Sequence, residues 1–221
     1  MIKKISSQPI APRLSGALEG ATQDDLVDRH WTRLEIEADL SGAELLGATI
    51  QECRIFRSRL TGVDLSRARL VDVELVDCEL SGAVLSECVL TRVSMRNCRL
   101  SGAVLANAKL RDVRVTECTA DQMTMRMATV DRLVFEHTKL HGSDFTGTNF
   151  QSTRMFDCDL SAAEFSQATF SNARFHGSDF SDVRGILHLR GIAIDPDQMD
   201  VFALSLLAAN GVSVEREREV D

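Results

Sequence analysis

The sequence has no tyrosine, a single tryptophan and only three prolines in 221 residues. Proline is too scarce, and apolar residues at 44% too common, for a chain disordered throughout. No apolar run approaches the roughly 18 residues that a spanning helix needs, so no transmembrane helix is predicted. Lys3 and Lys4 stand near the start without an apolar stretch behind them, so no secretion signal is visible and a cytoplasmic location is the expectation. Positive charge is also in deficit. The chain holds 25 Lys and Arg against 33 Asp and Glu, and a formal net charge of −8 argues against general affinity for nucleic acid or an anionic membrane. H-E-x-x-H, G-x-S-x-G, Walker and dinucleotide signatures are all missing, as is any C-x-x-C pair. No catalytic residue, metal or cofactor is therefore expected.

What the sequence does have is a period of five. Positions divisible by five from Leu40 to Phe180 make 29 sites, and all but Ala120 are Leu, Ile, Val, Met or Phe. Two residues before each lies a mostly small side chain, as at Ala38, Ala43, Ala48, Cys53 and Ser58. An α-helix turns about 500° in five residues, so such sites would wander around its cylinder. A continuous strand would send every second site to the opposite face. A chain that turns a corner every fifth residue satisfies the pattern, because each short side then points its large residue, and the small one two before it, into one core.

Gly42, Gly62, Gly82, Gly102 and Gly142 recur in steps of 20 or a multiple of it, which sets four sides to a coil. The column Asp39, Arg59, Glu79, Arg99 alternates in sign at the same step, as expected for coils stacked about 4.8 Å apart. Stretches such as Ala38-Asp39-Leu40, Val63-Asp64-Leu65, Ala83-Val84-Leu85, Ala103-Val104-Leu105 and Ser143-Asp144-Phe145 resemble the A-(D/N)-L-x-x motif of the pentapeptide-repeat family. The resemblance implies an all-β solenoid, a right-handed quadrilateral β-helix. About seven coils would make a rod about 35 Å long. The large residue changes from Leu to Phe along the chain, at Phe135, Phe145, Phe150, Phe165, Phe170, Phe175 and Phe180. Ala120, with Met123 and Leu133 at positions meant for small residues, predicts the least regular coil there.

Residues 1–30, with Pro9, Pro12, Gly16 and Gly20, carry little periodicity and are expected to be flexible. The solenoid is expected over 31–184, with regular repeats from 38 and Trp31, Leu34 and Ile36 closing its lower end. Residues 185–214 form the expected cap and 215–221 a charged tail. Asp195-Pro196-Asp197-Gln198 reads as a capping box with Pro at the first helical position, opening a helix over about 196–209 that Asn210-Gly211 stops. A short strand is expected over Val212, Ser213 and Val214. This arrangement is similar to the C-terminal dimerisation element of mycobacterial-type quinolone-resistance pentapeptide proteins, which implies an end-to-end homodimer through Met199, Phe202, Leu206 and Leu207.

The six cysteines invite a metal or redox reading, since Cys78, Cys98, Cys118 and Cys158 share one corner. A straight column cannot supply a tetrahedral site, and all six occupy the inward small position, so they read as buried small side chains. His137 falls between Glu117 and Asp157 and reads as part of a solvated charge column. The favoured function is a non-enzymatic scaffold that binds another protein. Outward residues that break the polar rule mark its surface: Val84 and Val104 on one side, Phe56 and Val76 on another.

Some members of the resembled family mimic duplex DNA and bind type II topoisomerases such as DNA gyrase, giving quinolone resistance or toxin immunity. The most acidic side, with Glu44, Asp64, Glu87, Asp144 and Glu164, is where mimicry would lie, though Arg67 and Arg126 interrupt it. Residues 38–184 carry only a net −3. A duplex of about 35 Å carries about 20 negative charges.

Overall fold

Every fifth residue from Gly42 to Asp182 has a positive φ, between 45° and 71°. The four-sided shape follows, because a left-handed residue at a fixed interval reverses the pleat and turns the chain. The computed structural model describes residues 8–22, 25–26 and 28–213. They form a right-handed parallel β-solenoid of about eight turns with one short C-terminal helix. The regular coils pair at a step of 20: Val73 lies beside Val93, Val113 and then Leu133.

The four corners are of two kinds. After Leu40 the Ala43 N–H bonds back to the Leu40 carbonyl at 3.0 Å, and Gly42 between them sits at φ +67°, the type II pattern in which glycine carries the least strain. The corner after Leu45 repeats this with Ala48 and Gly47. The corner at Asp72 lies instead within one continuous strand. Four such strands of eight residues, Arg69–Val76, Val89–Arg96, Lys109–Thr116 and Thr129–Glu136, run through this corner in successive coils. The remaining two sides meet their neighbours through single bridges, among them Asp39 to Arg59, Glu79 and Arg99 in turn. The sign alternation predicted for that column is thus a true ladder, with Arg59–Asp39 at 3.6 Å and Arg99–Glu79 at 3.9 Å.

The large sites and the small sites before them fill one continuous core. In its upper half the rings stack coil upon coil: Phe145 on Phe165 at 5.0 Å and Phe150 on Phe170 at 5.1 Å. The coil predicted to be least regular keeps its backbone intact. Thr129–Glu136 matches Lys109–Thr116 in unbroken register, and Met123 and Leu133 are buried. The exchange of volume among Ala120, Met123 and Leu133, all buried, is taken up without a break in the backbone pairing.

At the lower end Trp31 is fully buried with Leu34 and Ile36, and its indole N–H donates to the Asp28 carbonyl at 2.7 Å. Here the pairing step shortens to 19, Trp31 lying beside Ile50, and it is again 19 where Ala173 meets Ile192. These irregular end turns are why the rod has about eight turns rather than the seven of the repeat alone. Where the sequence predicts a flexible segment, residues 10–15 lie against the rod with three backbone N–H groups bonded to its side chains. Residues 1–7, 23, 24 and 27 lie outside the described residues.

The cap starts with a 3₁₀ turn, Pro196–Gln198, and continues as α1 (Met199–Ala209). Gln198 accepts the Asp195 N–H at 2.7 Å, the predicted half of the capping box, and donates to the Ser178 carbonyl, fixing the helix start to the last coil. Val212 N–H returns to the Leu207 carbonyl and Gly211 N–H to that of Ala208, with Gly211 at φ +73°, a Schellman ending. Val212 and Ser213 form no strand, because this ending directs their backbone onto the helix. Val214 and the tail 215–221 lie outside the described residues.

Candidate protein-binding faces

One bridge ladder gathers six of the eight surface residues singled out in the sequence. Glu44, Asp64, Val84, Val104, Thr124, Asp144, Glu164 and Arg184 follow one another in successive coils, each beside the next. The two valines, half-buried and adjacent, form the apolar centre of this face, with acids toward either end. Carboxylates here also serve the backbone: Asp64 accepts the Ser66 N–H at 2.8 Å, Asp144 that of Thr146 at 2.9 Å and Glu164 that of Ser166 at 2.8 Å. The Ser66 hydroxyl and N–H hold the Asp64 carboxyl below its usual range. These bonds pin the side chains in place, so the face is pre-organised.

The acidity of this face is largely neutralised by arginine. Arg126 reaches Asp144 at 3.0 Å, Arg184 reaches Glu164 at 3.4 Å and Arg67 reaches Glu87 at 3.3 Å. The sequence places these charges in columns but does not say which pairs close.

Phe56 and Val76, the other two, are adjacent on a different side. The Arg57 guanidinium lies 4.9 Å from the Phe56 ring centre, and Arg54 closes on Glu74 at 3.0 Å beside it. This patch is a shallow charged groove around one ring.

The four residues proposed for dimerisation divide between the two faces of α1. Phe202 and Leu206 turn inward onto the core, whereas Met199 is 61% and Leu207 38% exposed. Phe202 and Leu206 therefore hold the cap on its own rod. The outward apolar residues are Met199, Val201, Leu204 and Leu207, of which the four residues expected at a dimer contact leave out Val201 and Leu204. Only the side carrying Phe202 and Leu206 packs on the core, and a helix apolar on nearly every side leaves the rest bare.

All six cysteines are free and buried. The Cys98 thiol lies 3.3 Å from the Arg96 carbonyl, and Cys78 and Cys118 make the matching bond in their own coils. Burial pushes the Cys88 and Cys158 thiols up to about 12, so both stay protonated and poor as nucleophiles or ligands. Among the described residues no group of three His, Cys, Asp or Glu is arranged to hold a metal ion. His137 stands 3.9 Å from Asp157, both more than half exposed.

A family model described as a pentapeptide repeat region matches residues 88–157, and one of pentapeptide repeats in eight copies matches 52–86 and 154–184. No curated protein matches the chain. Solved structures like it include full-length QnrB1, a plasmid-mediated fluoroquinolone resistance protein. It is 16% identical over 80% of this chain and 99% of that one, with a TM-score of 0.43. HetL of the cyanobacterium Nostoc sp., involved in heterocyst differentiation regulation, is 22% identical over 71% and 84%, with a TM-score of 0.29. A pentapeptide repeat protein of the Arabidopsis thaliana thylakoid lumen is 19% identical over 57% and 68%, with a TM-score of 0.28. With the five-residue corners, the stacked core and both repeat models in agreement, the chain belongs to the pentapeptide-repeat family.

Proposed function

We propose that this rod is a non-enzymatic scaffold that binds another protein through the ladder face centred on Val84 and Val104. The observation that carries the reading is the position of these two valines. They point outward, in register, from a ladder whose other members are mostly charged, and they contribute nothing to the core. Of the flanking acids, Asp144 and Glu164 above are each closed by an arginine, so Glu44 and Asp64 below the valines are what suits a partner with an apolar ridge and one basic edge. Purified wild type and a Val84→Asp, Val104→Asp variant, both checked for an unchanged β spectrum, are used to capture proteins from an extract of the native cell. A protein enriched on wild type and lost from the variant supports the reading; identical capture profiles end it.

The second part of the proposal is an end-to-end homodimer through the outer face of α1. Its support is the exposure of Met199, Val201, Leu204 and Leu207 on one short helix. Light scattering of wild type against Leu204→Asp, Leu207→Asp tests it, and a monomeric wild type is the contrary result.

DNA mimicry directed at gyrase is the competing reading. It needs an unbroken anionic side, and Arg67, Arg126 and Arg184 each close on one of the acids of that side. In a supercoiling assay with purified gyrase the scaffold reading expects no inhibition at micromolar protein, and inhibition would favour mimicry instead.

A further inference from the structure

The segment before the first coil is bonded to the rod in a way that its lack of periodicity does not suggest. One corner column reads Glu52, Asp72, Arg92, Asp112, Arg132. Within it Arg92 grips Asp72 through two bonds of 2.6 Å, and Arg132 grips Asp112 at 2.6 and 3.0 Å. Along the outside of this column, against the direction of coil stacking, runs the N-terminal segment. Ile10 N–H donates to Asp112 at 3.1 Å, Arg13 N–H to Asp72 at 2.9 Å and Ser15 N–H to Glu52 at 3.3 Å. Asp112 is left 3% exposed and Asp72 6%.

The spacing is a vernier. From Ile10 to Arg13 is three residues, and from Asp112 to Asp72 is two coils. Three residues of polyproline II rise about 9.3 Å, and two coils rise about 9.6 Å. An extended chain with that three-residue repeat therefore delivers one N–H for every two coils, from Asp112 to Asp72, without strain. Pro9-Ile10-Ala11-Pro12-Arg13 has the matching repeat. Both prolines are half-buried while Ile10, Ala11 and Arg13 between and after them are exposed, and in each case the residue after the proline donates. Proline fixes φ near −65° and lowers the entropy lost on docking. At Ile10 and Arg13 the bonds come from backbone N–H groups, so they recognise a conformation and a spacing rather than those side chains, and only at Ser15 does a side-chain hydroxyl add a bond, to Glu52.

We infer that this corner is a docking groove selective for an extended Pro-x-x-Pro segment, that the chain's own residues 9–15 are its occupant in cis, and that the same segment offered in trans competes with them for it. The segment ends at Gly16, φ +76°, beyond which Glu19–Gly20 pairs with Leu34 and Glu35 of the first coil. Residues 9–15 can thus leave as a unit while the lower end stays closed. The groove is separate from the Val84–Val104 face, so the two surfaces are tested independently.

The experiment uses the full chain and a fluorescein-labelled peptide with the sequence of residues 8–15. In an Ile10→Pro, Arg13→Pro variant the two donors to the buried aspartates are deleted from the strap, Ser15 alone keeping its bond, while the extended conformation is kept. Because a tethered strap competes at an effective concentration on the order of millimolar, the peptide is expected to bind this variant at least about 100-fold more tightly than wild type. Replacing Pro9 and Pro12 of the peptide by glycine should weaken that binding. Adding Asp72→Asn and Asp112→Asn to the protein should abolish it. Amide exchange in the unaltered chain gives a readout that needs no variant to fold, with Ile10 and Arg13 expected to be protected. Equal peptide binding by wild type and variant, binding indifferent to the peptide's prolines, or Ile10 and Arg13 amides that exchange at free-peptide rates would each overturn the inference.

Discussion

Phe180 meets Phe202 edge to face, with ring centroids 5.8 Å apart. The uppermost ring of the core is therefore also the seat of the cap, and the inward face of α1 carries the attachment while the outward face stays free. Phe202→Ala removes that contact and is expected to cost about 2 kcal/mol, below the roughly 3–5 typical of a fully buried ring, because Phe202 is only half-buried. Denaturant unfolding checks the loss. Leu204→Asp should leave the midpoint nearly unchanged.

The buried carboxylates make stability depend on acid. The Arg92 grip is the main reason the Asp72 carboxyl sits below 3.8, with the Arg13 N–H adding to it. For Asp112 burial pushes upward, but Arg132, the Ile10 N–H and nearby Arg111 outweigh it, and the carboxyl again sits low. A carboxyl lowered in the folded state binds fewer protons there than when unfolded. Its contribution is therefore complete above about pH 4 and fades as pH falls through the folded value. Stability should stay level from neutral pH to about 5 and drop below 4. Asp112→Asn should lose about 3 kcal/mol at neutral pH and show a shallower acid drop. An unchanged acid profile would contradict this account.

Not every corner is well suited to its residue. Met127 holds φ +55° at a turn of the type II kind and is 59% exposed, so it bears backbone strain without compensating burial. Met127→Gly is expected to stabilise the rod by about 0.5–1 kcal/mol, which a thermal melt resolves. At Gly185 the reverse holds. A Cβ there would stand 2.4 Å from the Ser166 nitrogen at φ +72°, and Gly185→Ala should disrupt the turn Ile186–His188 beneath the cap.

The thiols give a test of burial that needs no mutation. With all six cysteines enclosed, native protein should resist a thiol-reactive dye and label fully once denatured. Rapid native labelling would show that the core is open.

The rod was legible because its rule is local and repeated. One large residue in five, one mostly small residue two before it and a left-handed corner two after it recur on nearly every side from Leu40 to Phe180. The column positions of Val84, Val104 and the acids followed at once. Pair closure such as Arg126 on Asp144 did not, because it depends on side-chain reach between neighbouring columns. The two faces of α1 were confused because a short helix apolar on most sides gives no clear stripe, and only the shape of the rod end decides that Phe202 points in and Leu204 out. The strap was missed for a different reason. Its three-residue repeat at Pro9 and Pro12 is visible, and so is the column Glu52, Asp72, Asp112, but their match appears only when the rise of an extended chain is set against the height of a coil.

The central claim is that the Val84–Val104 face is where another protein sits. A photo-reactive amino acid placed at Val104, and separately at Lys139 on a polar column, reports contact directly in the native cell. The account expects a discrete adduct from position 104 and none from 139. Adducts from both alike, or from 139 alone, would contradict it.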